Sequence, residues 1–386
     1  APQAGEELKQ DAQQSECVVA ALHSDYVSTS VSLLRSDGSL CQEALVDSGS
    51  SELDVVAALS GDVSLPQSQD PLGRLVLIDR YPHAVITFLT LEEGLKVEQL
   101  SVGTGFAANP HDVHFLGESR AYVTRYATNG APSRDDGLDR GGDVLIVDST
   151  QMEIIGRIAL QADEGFEPMP STMAKGSEHV WVALSHLARD FSAAGPGRIV
   201  GIDTELNAVE HVLTLDGLHN CSSLSRAPEG SGLWVACSGL FSGDEASQIG
   251  ASGLVYLDEE GGSLVERWRV EAAELASPVA FSLAGIGGSQ ALFTVFGSFA
   301  RDTPDRLYWA DSDAGLVKDM GVQGSAYELG DLLYLPKEEV LLMADANPQD
   351  PLTRRFELQE GRLSELEPLR ASPQSGLPPR SMQRFR

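Results

Sequence analysis

Two short stretches place an imidazole beside oxygen ligands: Asn109-Pro110-His111-Asp112 and His219-Asn220-Cys221-Ser222. Brought together, His111 and His219 could hold a transition metal or act as acid and base with Asp112, while Asn109 and Asn220 would supply ligand-binding amides. The same residues also have a plain structural use, because His and Asn bond backbone groups and an aspartate caps its own turn. A second set is acidic: Arg134-Asp135-Asp136 with Asp139-Arg140, Arg189-Asp190, Asp244-Glu245, and Arg301-Asp302 with Asp305. Asp112, Asp135, Asp136 and Asp139 are the candidate metal ligands, and calcium is the ion such carboxylates would suit, since it takes several oxygen ligands. No Asp-x-Asp-x-Asp-Gly loop accompanies them, and the adjacent arginines are internal counter-ions that would make local salt bridges instead. Gly103-Thr104-Gly105 precedes no helix pattern, Gly239 to Gly243 lacks a P-loop lysine, and Ser48-Gly49-Ser50-Ser51 has no nucleophile-elbow context.

The elements that must position these groups repeat along the chain. An apolar strand ending in aspartate recurs as Leu75-Val76-Leu77-Ile78-Asp79, Leu145-Ile146-Val147-Asp148, Ile199-Val200-Gly201-Ile202-Asp203, Leu254-Val255-Tyr256-Leu257-Asp258 and Leu307-Tyr308-Trp309-Ala310-Asp311. The aspartates are 69, 55, 55 and 53 residues apart, and each is expected to accept backbone N–H groups in the following turn. Upstream of the later copies lies a second apolar run, such as Val180-Trp181-Val182-Ala183-Leu184 or Leu233-Trp234-Val235-Ala236, and before that a shorter one, such as Asp112-Val113-His114-Phe115. Four short strands per repeat make a propeller blade, so the fold class is all-β: a seven-bladed β-propeller of four-stranded antiparallel blades. Blades fall near 17 to 48, 51 to 103, 109 to 160, 167 to 215, 219 to 270, 277 to 321 and 324 to 369, within one domain at 17–370 between an N-terminal tail at 1–16 and a C-terminal tail at 371–386. The first blade shows only three strands. A terminal segment, either residues 1–16 or the tail from Ala371, is expected to close the ring, although Leu377-Pro378-Pro379-Arg380 is poorly suited, because proline donates no ladder hydrogen bond. The connections between second and third strands are long, notably 127–142, 186–197, 238–253 and 298–305, and they elaborate one face, which becomes the expected binding face.

Composition limits the partners. Against 57 acidic residues stand 27 basic ones, a formal charge of -30 that repels nucleic acid and anionic lipid. No apolar stretch is long enough to span a bilayer. Cys17, Cys41, Cys221 and Cys237 show no zinc-ligand spacing. Cys221 opens one predicted strand and Cys237 closes the next, so they oppose each other in an antiparallel pair, and Cys17 with Cys41 follows by elimination. Disulfides belong to an oxidising compartment, and a chain beginning Ala1-Pro2-Gln3-Ala4 reads as a mature form after signal removal. The expected location is therefore exported, in the periplasm or on the cell surface.

Tyr122-Val123-Thr124 resembles the YVTN-type repeat of exported seven-bladed propellers, a group that includes surface-layer-like proteins and is akin to propeller lactonases. The fourth motif position departs, being Arg125, which joins Asn109, His111 and Asn220 as a candidate ligand-binding residue. Trp181-Val182-Ala183 and Trp234-Val235-Ala236 keep the rhythm of the repeat without its letters. No catalytic constellation is complete, so the leading expectation is a non-enzymatic binding or scaffold propeller presenting its loop-rich face to a protein or small ligand. The alternative is a metal-assisted hydrolase of the propeller lactonase kind, with His111, Asp112, His219 and Asn220 as ligands or bases.

Overall fold

A computed structural model describes residues 17–50, 56–92, 94–228, 232–370 and 375–386; the N-terminal tail at 1–16 lies outside the described residues. The first three strands are β1 (Val19–Ser24), β2 (Thr29–Leu34) and β3 (Leu40–Asp47). The second blade holds β4 (Asp62–Ser64), β5 (Leu75–Tyr81), β6 (Val85–Thr90) and β7 (Lys96–Ser101), and the third β8 (Pro110–Phe115), β9 (Arg120–Thr128), β10 (Gly141–Asp148) and β11 (Glu153–Ala159). The fourth is β12 (Pro170–Lys175), β13 (His179–Leu184), β14 (Pro196–Asp203) and β15 (Ala208–His219), and the fifth β16 (Cys221–Arg226), β17 (Leu233–Cys237), β18 (Gly253–Glu260) and β19 (Ser263–Glu271). The sixth runs β20 (Val279–Gly287), β21 (Gln290–Val295), β22 (Asp305–Asp311) and β23 (Leu316–Gly324), and the seventh β24 (Leu329–Leu335), β25 (Val340–Asp345), β26 (Leu352–Gln359) and β27 (Arg362–Leu369). The last strand, β28 (Pro379–Arg384), pairs antiparallel with β1 and completes the first blade. The fold is thus a seven-bladed β-propeller with four antiparallel strands in each blade.

The middle strands are uninterrupted apolar runs because each buries both faces. Leu75 and Leu77 of β5 pack toward the first blade, while Val76 and Ile78 pack toward the third. Seven apolar clusters result among the described residues, one at each blade-to-blade contact. Trp181 and Trp234 sit inside two of these layers with at most 1% of their surface exposed, which makes them packing residues. The repeated strand-end aspartates cap turns at several blades: Asp148 Oδ1 accepts the N–H of Thr150 and Gln151, and Asp203 Oδ1 those of Glu205 and Leu206. Both disulfides are present, Cys17–Cys41 and Cys221–Cys237.

One boundary is corrected. Residues 379–384 are no tail, since Met382 pairs with Ala21 and Arg384 with Val19. Proline is accommodated because the register shifts at the Pro379 end of the strand, where no ladder donor is required.

Candidate functional site

The innermost strands surround a central cavity of about 1130 Å³. Their residues form levels around its axis. In these strands a polar residue precedes a buried apolar one, as in Asp112-Val113, Thr172-Met173, Ser223-Leu224, Ser282-Leu283, Asp331-Leu332 and Ser381-Met382. These polar side chains stitch neighbouring blades. Asp112 Oδ2 accepts the N–H of Met173 at 2.7 Å, Thr172 Oγ1 that of Leu224 at 2.8 Å, and Asp331 Oδ2 that of Met382 at 2.9 Å.

This position reassigns Asp112. Its Oδ1 takes the N–H groups of Gln67 and Val113, so both oxygens already serve the backbone, a structural role for the carboxylate. Burial pushes its carboxyl from 3.8 up to about 7 against the pull of those three N–H groups. A folded-state value raised above the unfolded one means that the protonated carboxyl stabilises the fold fully below the unfolded value, and that this contribution is lost as pH rises through about 7. Asp112→Asn should therefore gain stability relative to the unsubstituted protein as pH climbs from 4 to 8, read as the difference in melting temperature at each pH. A difference that stays flat across that range would contradict a buried, protonatable carboxyl.

His111 lies one residue above this level and lines the cavity. Its ring stacks on Tyr126 with centroids 4.2 Å apart, and Nδ1 faces Ser171 Oγ at 3.4 Å. Burial, then the nearby Arg80 guanidinium, hold its imidazole neutral by lowering its pKa well below the usual value. His219 is not beside it. It ends β15, the outermost strand of the fourth blade, and its Nδ1 contacts the carbonyl oxygens of Ala194 and Gly195 at 3.0 and 2.8 Å. The expected His111–His219 pair is therefore corrected: β15 runs on to residue 219, so the chain reaches the channel only at Asn220, which does line the cavity.

Asn109 and Asn220 both adopt left-handed backbone, with φ of 50° each, at the corner leading into an innermost strand. Asparagine tolerates that conformation better than most residues, which explains its choice there without a ligand. Arg125 is also corrected. It is wholly buried, and its five N–H donors go to Asp143, Val102, Thr104 and Leu138, so none is left for a ligand. In the loop before β10, Asp139 Oδ2 accepts the N–H of Ser133 and Arg134, while Asp136 pairs with the Arg134 guanidinium. Asp135, Asp136 and Asp139 do not gather around a common point, and among the described residues no group of three potential ligands lies at the channel.

What the cavity does present is positive charge. Arg80, Lys175, Arg226, Arg380 and Arg384 line it, against Asp112, Glu328 and Asp331. Desolvation raises the pKa values of all three acids, Asp112 to about 7 and Asp331 to about 6. Arg80 is braced by Asp62, and the Arg380 guanidinium lies over the Tyr26 ring at 4.8 Å. Lys175, Arg226 and Arg384 each fall three residues beyond the stitching residue of their own strand, which places them at the opposite end of the channel from His111. Sequence reasoning missed all five because they come from four different blades; aligning the innermost strands by their polar-apolar step would have found four of them. The loop-rich mouth adds an aromatic chain, Phe241–Phe281–Phe296–Tyr327–Phe299, with successive centroids 5.2 to 6.4 Å apart.

No protein-family profile matches the chain, and no curated protein matches it in sequence. Solved structures do match over nearly its whole length. A Lactobacillus plantarum protein superposes with a TM-score of 0.64 at 12% identity, covering 95% of this chain and 98% of its own. The Pseudomonas aeruginosa periplasmic gluconolactonase gives 0.61 at 12% identity over 95% and 98%. A Bacteroides fragilis candidate 6-phosphogluconolactonase gives 0.60 at 10% identity, covering 99% of each chain. At such identities the likeness establishes the fold alone.

Proposed function

We propose that this propeller binds a small anionic molecule in its central cavity and hydrolyses an internal ester in it, as a lactonase would. The observation that carries this reading is a cation-rich cavity, with a neutral imidazole at its mouth, in a chain whose formal charge is -30. Similarity in fold to proteins described as gluconolactonases supports the choice of reaction, and a phosphorylated sugar lactone would suit the excess of arginine. His111 would take a proton from water as the hydroxyl oxygen bonds to the lactone carbonyl carbon. Arg80 would stabilise the resulting oxyanion, and the imidazolium would return the proton to the ring oxygen as its bond to the carbonyl carbon breaks. Export to the periplasm or cell surface, and kinship with YVTN-type proteins, belong to the same proposal and draw support from the two disulfides.

Hydrolysis of 6-phosphogluconolactone and of gluconolactone is the test. His111→Ala is expected to lower kcat by about 100-fold or more, and Arg380→Ala to raise KM chiefly for the phosphorylated substrate. Turnover no faster than without protein, or an unaltered rate in His111→Ala, would refute the hydrolase. A second reading, a non-enzymatic binding propeller, is favoured by the aromatic chain at the mouth, where Phe299 is 76% exposed. Under it, alanine at Phe299 and Tyr327 abolishes partner retention while leaving lactone hydrolysis at the background level.

A further inference from the structure

A β-bulge in the outermost strand of the fourth blade turns two ligand-type side chains the same way. Gly201 pairs with His211 and Ile202 with Val209, so Glu210 is the extra residue. Bulges of this kind re-aim a side chain across a sheet. Glu210 Oε2 lies 2.8 Å from Nε2 of His179, the first residue of β13, and the His179 and His211 rings stand 4.8 Å apart at their centroids. One ligand atom from each of the three residues lies within 4.8 Å of the others. Gly201, on the strand between them, has no side chain to intervene, and a Cβ there would strike the Trp181 ring at 2.5 Å.

The fifth blade closes over this group through its β18–β19 turn. Ser263 Oγ faces His211 Nδ1 at 3.4 Å, which leaves Nε2 of that ring to turn inward. A Cβ on Gly262 would lie 3.5 Å from His179 Cε1 and 3.9 Å from His211 Nε2, so both rings converge beneath the turn. His179 is 4% exposed and its Nδ1 has no partner among the described residues, so this buried ring nitrogen is left without a hydrogen bond while Nε2 faces Glu210. None of the three residues lines the central cavity.

We propose that His179, Glu210 and His211 form a site for one divalent transition-metal ion of the zinc class. Two imidazoles and a carboxylate are the donors that zinc, cobalt, nickel and copper prefer, whereas calcium and magnesium take oxygen ligands. Bonds of about 2.0 to 2.2 Å to one tetrahedral ion hold ligand atoms roughly 3.3 to 3.6 Å apart, so uptake of the ion would adjust the three groups from separations of up to 4.8 Å. Three protein ligands leave a fourth position for water. A plain His179–Glu210 ion pair would require neither the bulge's delivery of His211 nor the second imidazole.

Zinc is titrated calorimetrically into the metal-stripped full chain at neutral pH, and cobalt is followed by its visible absorption. The expected result is saturable uptake of one ion per chain, with proton release that grows as pH falls toward the histidine range. His211→Ala and Glu210→Gln should each weaken uptake by roughly 10- to 100-fold, while His111→Ala leaves it unchanged. Glu210→Gln keeps the size of an exposed side chain, so it reports even where His211→Ala folds poorly. No saturable uptake, uptake indifferent to both variants, or uptake lost only in His111→Ala overturns the assignment.

Discussion

A chain ending at Gly376 is expected to lose its cooperative fold. That cut removes β28, which occupies the innermost position of the first blade and seals the ring. Met382 and Phe385 leave the core with it, each at most 4% exposed in the intact protein, and burial of such a side chain is worth about 1.5 to 3 kcal/mol. β1 becomes an open edge, ready to pair with another chain. Asp331 loses the Met382 N–H and the Ser381 hydroxyl, leaving its buried carboxyl short of donors. Together these losses are on the order of 5 kcal/mol or more, comparable with the whole stability of an ordinary domain. Far-UV circular dichroism and dye binding should show an expanded, aggregating chain, and Phe385→Ala alone should cost about 3 to 5 kcal/mol in urea denaturation. A truncated chain that melts sharply within a few degrees of the full one would mean that the ring closes some other way.

Asp143→Ala is the second large effect. Asp143 is wholly buried, receives the Arg125 guanidinium through two hydrogen bonds of 2.8 Å, and is also held by Arg157. Removing it leaves a cation in the interior between β9 and β10 without its counter-ion. Breaking one side of a buried pair typically costs about 3 to 5 kcal/mol, whereas replacing both partners with apolar groups is often close to neutral. The double variant Asp143→Ala, Arg125→Met should therefore recover much of what the single change loses, and urea midpoints for the four members of the cycle would show it. A loss below about 1 kcal/mol in the single variant would mean that solvent reaches the pair.

The blades could be read from the sequence because their middle strands bury two faces and so form unbroken apolar runs, as in Leu75 to Ile78. The innermost strands were harder, since they wall a polar cavity and break their apolar runs with polar residues, as in Asp112-Val113-His114 of β8. β28, Pro-Arg-Ser-Met-Gln-Arg, shows the extreme of this: only Met382 marks it as a strand, so ring closure could not be seen before the pairing with β1 was known. At the site, His111 was legible from its place in the link between blades. Its company was not, because Arg80 and Arg380 are 300 residues apart and meet only when the ring is closed. His219 misled for a local reason: the outer strand of that blade is twelve residues long and carries the histidine to its far end. Arg125 misled for another, since a motif position on a buried strand looks functional in sequence and is an ion-pair residue in space.

The pairing of the last strand with the first also sets an order of events during synthesis. Cys17 and Cys41 are 24 residues apart and Cys221 and Cys237 only 16, so each bridge can form soon after its own segment emerges. The first blade cannot be finished then, because its inner strand, β28, is made long after its other three. At about 5 to 20 residues per second, β1 waits on the order of twenty seconds or longer with one side unpaired. During that interval the growing protein is an open arc, and its exposed leading edge is the surface that a chaperone, or a second nascent copy, would meet first.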